Sequence, residues 1–225
     1  MSSSRSKYVI VVAGGSGSRM GADVPKQFLP LGGVPILQRT IERFRQACPD
    51  ARFITVLPSA HVSRWKELCS AHALNVPQMI VAGGITRFHS VQNALARVPD
   101  GALVAIHDGV RPLCSAGLAR KAFDLAESVP AVIPVVPVCD TLKNKNPEGP
   151  DPDRAFVVAA QTPQVFWSEC IRAAYREQGY RTEFTDDASV AKAQKIPLSY
   201  IEGERRNIKI TTSEDLALAE LFLGL

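Results

Sequence analysis

The sequence predicts an α/β fold, a doubly wound and mostly parallel sheet with helices on both faces. Three observations predict it. Short, β-branched apolar runs recur along the 225 residues, segments of helical periodicity separate them, and the first run passes straight into a glycine-rich loop. Runs this apolar belong to strands covered on both faces, as in parallel sheets. Strand and helix in alternation is the pattern of crossover units. The length suits one domain, 1–225, around one core.

The strands fall at 8–13, 52–57, 79–81, 103–107 and 131–138. Between the first two, Ile36, Leu37, Thr40, Ile41 and Phe44 share one helical face while Arg39, Glu42, Arg43 and Arg45 take the other, giving an amphipathic crossover helix. Similar patterns cover 61–72, 87–96, 118–127 and 169–177. Beyond 187–195 come short strands at 198–201 and 207–210, then a last helix. Thr212 and Asp215 have capping-box spacing ahead of Leu216, Leu218 and Leu221. One excursion breaks the alternation. Residues 139–155 are polar and proline-rich, from Lys143 through Pro147 and Pro150 to Pro152, so no helix runs through them. They read either as a disordered surface loop or as an arm packing on a second subunit. The strand-like return at Phe156-Val157-Val158 favours the arm, 139–158.

Composition excludes several classes. The formal charge is +4 without a run of five or six basic residues, which argues against a nucleic-acid surface and for a small anionic substrate. Cys48, Cys69, Cys114, Cys139 and Cys170 are odd in number and contain no Cys-x-x-Cys pair. That argues against a disulfide framework or a zinc site and for a reducing compartment. The apolar run at 8–13 is too short for a signal or a membrane span, so a soluble, cytoplasmic protein without membrane association is expected.

The chemistry starts where the first strand ends, at Ala13-Gly14-Gly15-Ser16-Gly17-Ser18-Arg19-Met20-Gly21, followed by Pro25-Lys26-Gln27. Glycines let backbone N–H groups approach an anion. Arg19 and Lys26 add the charge that stabilises phosphoryl transfer. No register supplies a Walker loop. A dinucleotide fingerprint fails because Met20 occupies its last glycine position. Ligands of open parallel sheets bind at the carboxyl ends of strands, where further candidates stand. Gly83 and Gly84 offer a flat surface for a base whose edge Ser90 would read, and Thr86 reads as a helix cap. Asp108 suits a metal or a substrate hydroxyl, or else simply pairs with Arg111. Asp140-Thr141-Leu142-Lys143, Arg154, Gln161-Thr162-Pro163-Gln164, Thr185-Asp186-Asp187 and Asn207-Ile208-Lys209 together suit a second phosphorylated ligand.

These motifs, in this order over nearly the whole chain, resemble the 2-C-methyl-D-erythritol 4-phosphate cytidylyltransferases of non-mevalonate isoprenoid synthesis. The chain differs from many members at Gly14-Gly15 and Gly109-Val110, where they have alanines, and at Ile85, which replaces an acidic residue common in the base-binding loop. The resemblance implies a Rossmann-like nucleotidyltransferase fold with a projecting β-arm. It implies a homodimer built through the arm. It also implies CTP bound by Ala13, Gly14, Gly15, Gly17, Gly83, Gly84 and Ser90, with Arg19, Lys26 and Lys209 catalytic. Asp108, Arg111, Thr141, Arg154, Thr162, Thr185 and Lys209 would bind methylerythritol phosphate, with Arg154 supplied by the neighbouring subunit. Magnesium would be held mainly by the CTP phosphates, with Asp108 as the candidate protein ligand. A phosphate oxygen is already a deprotonated nucleophile at neutral pH, so no general base or covalent nucleophile is required, and His61, His72, His89 and His107 are read as structural or surface groups. The rivals are a ribitol 5-phosphate cytidylyltransferase, a CTP-binding module without turnover and, weakest, a dinucleotide oxidoreductase.

Overall fold

A computed structural model of the chain describes residues 5–14 and 24–224. Strand β1 (Lys7–Val12) is followed by the two-residue strands β2 (Pro30–Leu31) and β3 (Val34–Pro35), which pair with each other. Then come α1 (Ile36–Ala47), β4 (Arg52–Leu57), α2 (Val62–Ala71), β5 (Gln78–Ala82), α3 (Arg87–Leu95), β6 (Leu103–Asp108), α4 (Ala116–Ala126) and β7 (Ala131–Pro137). The chain closes with β8 (Val158–Ala160), β9 (Gln164–Trp167), α5 (Ser168–Gln178), α6 (Asp187–Ala193), β10 (Ser199–Glu202) and α7 (Ser213–Leu223).

The main sheet runs β10-β7-β9-β6-β1-β4-β5, with β8 paired to β7. The pairs β1 with β4, β1 with β6, β4 with β5 and β7 with β10 are parallel. Strand β9 lies antiparallel between β6 and β7. The expected strands and helices are present within a few residues of their places, and the main difference is at 207–210. The expected strand there is absent: Ile210 donates one backbone bond to Val110 O at 2.9 Å, and the segment enters no sheet. Its apolar residues Ile208 and Ile210 instead pack beside Leu31, Ile36 and Val110.

Alternation along β1 shows why the sheet is covered twice. Val9 and Val11 face a cluster built with Leu37, Ile41 and Phe44 of α1 and Leu118 and Phe123 of α4. Tyr8, Ile10 and Val12 face the opposite cluster, with Phe88 and Val91 of α3, Ile171 and Ala174 of α5 and Val190 of α6. Period-two side chains on a strand reach both faces, so a continuously apolar strand has both faces buried.

The excursion after β7 is ordered by polar caps, with β pairing only at its root, where Val135–Pro137 meets Val158–Ala160. Asp151 accepts from Lys143 Nζ at 2.5 Å and from Asn144 N–H at 2.9 Å, and Asn144 Nδ2 donates to Pro150 O at 3.0 Å. The return differs from expectation: residues Arg154–Phe156 form a 3-10 turn and β8 starts at Val158.

Candidate active site

At the carboxyl ends of β1 and β6, where Val12 pairs with Asp108, a cleft of about 280 Å³ opens. Ala13, Gly14, Lys26, Gly84, Ser90, Asp108 and Lys209 line it, together with Ile85 and Arg87. Lys26 is held in place by its neighbours Gln27 and Phe28. Gln27 is buried and donates from Nε2 to Ala13 O at 3.0 Å. Phe28 stacks on Trp65 with ring centroids 5.9 Å apart. A buried amide and a buried ring thus tie the lysine's backbone to the end of β1 and to the core.

The opposite wall is a glycine turn closed on itself. Gly84 N–H donates to Ser90 Oγ at 3.0 Å. A Cβ on Gly84 would lie 2.4 Å from His89 Cβ, and one on Gly83 would lie 3.2 Å from Ser90 Oγ. Side chains are therefore excluded where the loop folds against α3. Thr86 accepts from His89 N–H and caps that helix, as its place in the sequence predicts.

Asp108 sits at the centre of charge. Its Oδ1 meets Arg87 Nε at 3.3 Å, and its Oδ2 meets Lys209 Nζ at 2.9 Å and Arg111 Nε at 3.5 Å. Burial opposes its ionisation, but Arg87, Lys209 and Arg111 together hold the carboxyl well below the usual carboxylate range. Its backbone is held as well. Asp108 N–H donates to Thr162 Oγ1 at 3.1 Å, Thr162 Oγ1 lies 3.0 Å from His107 Nδ1, and His107 Nε2 lies 3.1 Å from Arg111 O. A carbonyl can only accept, so Nε2 carries the proton and Nδ1 accepts from the threonine hydroxyl. Burial pushes the His107 pKa down to about 4, which keeps the ring neutral and the chain of bonds in one direction.

Arg111 is anchored by Nη1 to Asn207 O at 2.7 Å. Asn207 is fully buried and donates to Thr162 O at 2.8 Å. This explains both the burial of Asn207 and the missing strand: the segment is held by side-chain amides and presents Lys209 to the cleft.

The chemistry of the donor set does not make a protein-held magnesium site. Both oxygens of Asp108 face cations, and no group of three His, Cys, Asp or Glu side chains is placed to hold a metal among the described residues. A phosphate-rich ligand carrying its own cation fits these surroundings; a carboxylate cage does not.

The family model for 2-C-methyl-D-erythritol 4-phosphate cytidylyltransferase matches residues 8–224. The chain belongs to this family. It is therefore a nucleotidyltransferase. It is 49% identical over 219 residues to the cytidylyltransferase of Porphyromonas gingivalis, covering 96% of this chain and 97% of that one. It is 46% identical over 216 residues to that of Bacteroides thetaiotaomicron, covering 96% and 98%. Among solved structures, the 4-diphosphocytidyl-2C-methyl-D-erythritol synthase of Anaerococcus prevotii superposes with a TM-score of 0.84 at 28% identity, over 99% of this chain and 97% of that one.

Of the cytidylyltransferase residues expected from the sequence, Ala13, Gly14, Lys26, Gly84, Ser90, Asp108 and Lys209 meet in the cleft, and Gly83 touches it through Ser90. Gly15, Gly17 and Arg19 lie outside the described residues. Arg111 and Thr162 stand behind Asp108, the threonine buried and its hydroxyl engaged with Asp108 and His107. Thr141, Arg154 and Thr185 are exposed and do not line the cleft, and Arg154 Nη1 donates to Cys139 O at 2.9 Å. Arg87, to which the sequence attached no role, and Asp187, read only as one of a polar set, prove central. Arg87 lines the cleft and also makes a bidentate pair with buried Asp187, from Nη1 at 3.0 Å and Nη2 at 2.7 Å. The sequence signal for Arg87 was its place directly after the Thr86 cap, but a partner 100 positions away leaves no local trace.

Proposed function

We propose that this chain transfers CMP from CTP to 2-C-methyl-D-erythritol 4-phosphate, giving 4-diphosphocytidyl-2-C-methyl-D-erythritol and pyrophosphate. One observation carries the assignment to this cleft: a glycine wall with Ser90 faces Lys26, Lys209 and a cation-ringed Asp108 at the carboxyl ends of parallel strands.

In the reaction an oxygen of the polyol phosphate bonds to the α-phosphorus of CTP, and the bond from that phosphorus to the bridging α,β oxygen breaks. The electron pair leaves with pyrophosphate. Because the attacking oxygen is already anionic, the chain's task is positioning and charge stabilisation. Lys26 and Arg19 hold the triphosphate and offset charge on the five-coordinate phosphorus. Ala13, Gly14, Gly15 and Gly17 bring backbone donors to the phosphates. Gly83, Gly84 and Ser90 select cytosine. Lys209 lowers the repulsion between the two anions, while Asp108, Arg111, Thr141, Arg154, Thr162 and Thr185 bind and orient the polyol phosphate. A magnesium ion, held mainly by the CTP phosphates, would supply further charge neutralisation there.

The exposed positions of Thr141 and Arg154 fit a homodimer in which the arm, 139–158, docks on a second copy. Phe156 at 88% exposure and Val158 at 44% give that arm an apolar surface to bury. A cytoplasmic location completes the proposal, and no helix among the described residues is long and apolar enough to cross a membrane.

Pyrophosphate release, measured across nucleotides and acceptors, tests the reading. Release with CTP and methylerythritol phosphate supports it. Preference for ribitol 5-phosphate moves the substrate assignment, and the absence of release with either polyol phosphate leaves only a nucleotide-binding module. Sedimentation of the intact chain tests the dimer, which a monomer at every concentration refutes.

A further inference from the structure

Three cations and two carboxylates form one cluster at the back of the cleft, but they are not equally free. Lys209, with 41% of its side chain exposed, touches Asp108 through a single contact at 2.9 Å. Arg111 is pinned to Asn207 O at 2.7 Å. Arg87 is held hardest. Its two terminal nitrogens form the bidentate pair with Asp187, a carboxylate with no exposure, which leaves Nε for Asp108 Oδ1 at 3.3 Å.

Asp187 is itself fixed. Tyr175 Oη donates to its Oδ1 at 2.5 Å, and the tyrosine ring, 1% exposed, stacks on Phe88 with centroids 4.5 Å apart. Burial, and then the adjacent carboxylate, push the Tyr175 phenol up, so its O–H remains a donor. The start of α6 is tied down separately: Gln164 Oε1 accepts from Ala188 N–H at 2.7 Å, and Gln164 Nε2 donates to Asp186 Oδ2 at 2.8 Å. Residues 186–188 are thus fastened to the sheet on one side and to Arg87 on the other.

A guanidinium with both terminal nitrogens committed to a buried carboxylate cannot swing onto a substrate phosphate without leaving that carboxylate unpaired, at high cost. The lysine can. We propose that Arg87, clamped by Asp187 and Tyr175, is a positioning residue that keeps Asp108 oriented toward the polyol while Lys209 leaves Asp108 for the incoming phosphate. This rests on the cytidylyltransferase reading. It makes the start of α6 and the carboxylate of Asp108 a single rigid frame for the polyol phosphate, and it leaves the CTP side of the cleft untouched.

The test compares wild type with Asp187→Asn, Tyr175→Phe, Arg87→Gln and Arg87→Lys, reading KM for each substrate and kcat separately. Asp187→Asn and Arg87→Gln are expected to raise KM for methylerythritol phosphate about 10-fold or more, in line with losses on removing groups that orient a ligand-binding side chain, with KM for CTP within about 2-fold. Arg87→Lys keeps the charge but not the fork and falls between wild type and Arg87→Gln. Tyr175→Phe, which loses one hydrogen bond and no charge, keeps the proposal testable if Asp187→Asn fails to fold, and it shifts the same KM by a few-fold, about what one such bond is worth. Equal changes in both KM values, or a lowered melting temperature with unchanged kinetics, overturn it. Should wild type release no pyrophosphate, the functional reading falls, and ¹³C titration of the Asp108 carboxyl then decides the geometry on its own. A higher midpoint in Arg87→Gln than in wild type upholds the contact of Arg87 with Asp108, and an unchanged one refutes it.

Discussion

Replacing Asp108 by Asn removes one negative charge from among three cations at 3.3, 2.9 and 3.5 Å while preserving the shape of the side chain. Asp187 alone then faces Arg87, and Arg111 loses its carboxylate partner. Removing one partner from a buried ion pair costs about 3–5 kcal/mol, because it leaves charge buried without compensation. For a chain of this length each kcal/mol is worth about 2–4 °C of melting temperature, so the variant should melt about 6–20 °C lower. The loss has a signature. The freed cations form an anion site, so inorganic pyrophosphate should raise the melting temperature of Asp108→Asn by more than it raises that of wild type, since ligand bound to the native state adds stability by mass action. Thermal unfolding followed by circular dichroism, with and without pyrophosphate, reads both effects. A variant that melts within about 2 °C of wild type, less than one kcal/mol would produce, and shows no added response to pyrophosphate refutes the description of Asp108 as the hub of the charge cluster.

Three further outcomes are expected. Lys26→Ala and Arg19→Ala should each lower turnover by about 100-fold or more, the loss typical of a group aimed at transition-state charge, with unchanged circular dichroism; near-normal turnover in both removes the catalytic assignment. His107, whose pKa falls from 6.5 unfolded to about 4 in the buried site, binds fewer protons folded than unfolded between those values. Its contribution is therefore complete above pH 6.5 and is lost as the pH falls toward 4, roughly 3 kcal/mol in all; His107→Gln should flatten the urea-derived stability profile in that window, and an unflattened one rejects the neutral-ring description. Gly84→Ala places a methyl 2.4 Å from His89 Cβ. Overpacking of about 1–3 kcal/mol should displace the base loop and raise KM for CTP more than KM for the polyol phosphate, and unchanged CTP kinetics would count against that wall as the base site.

Much of this molecule was legible in its sequence because its signals are local. Six strands of the sheet run parallel to one another, and the runs that form the central ones, β1, β4 and β6, are largely apolar at consecutive positions, as burial on two faces requires. Gly84, Ser90, Asp108 and Lys209 were found because ligand chemistry collects at strand ends. Strand β9 was not, since four residues next to a helix start carry no period of their own. The expected strand at 207–210 failed for the opposite reason. Ile208 and Ile210 alternate like a strand, but the backbone there is held by Asn207 and one bond to Val110, which is a tertiary arrangement. The Arg87–Asp187 pair joins two helix starts on different crossover units, and only the packing of α3 against α5 and α6 brings them together.

The reversal of direction at β9 has a consequence for how this protein can be re-engineered. Only Gln161, Thr162 and Pro163 separate β8, at the root of the arm, from β9, between β6 and β7. Thr162, the middle residue of that junction, receives the Asp108 N–H. The arm is thus an outward continuation of the strand whose first turn supports Asp108 from behind, and the two cannot be treated as separable modules. Its tip, closed by Asn144 and Asp151, is where residues can be cut, lengthened or exchanged between relatives. A graft whose seam falls between Val158 and Gln164 instead disturbs the support behind Asp108, and would have to carry His107 and Asn207 with it to keep the same pocket.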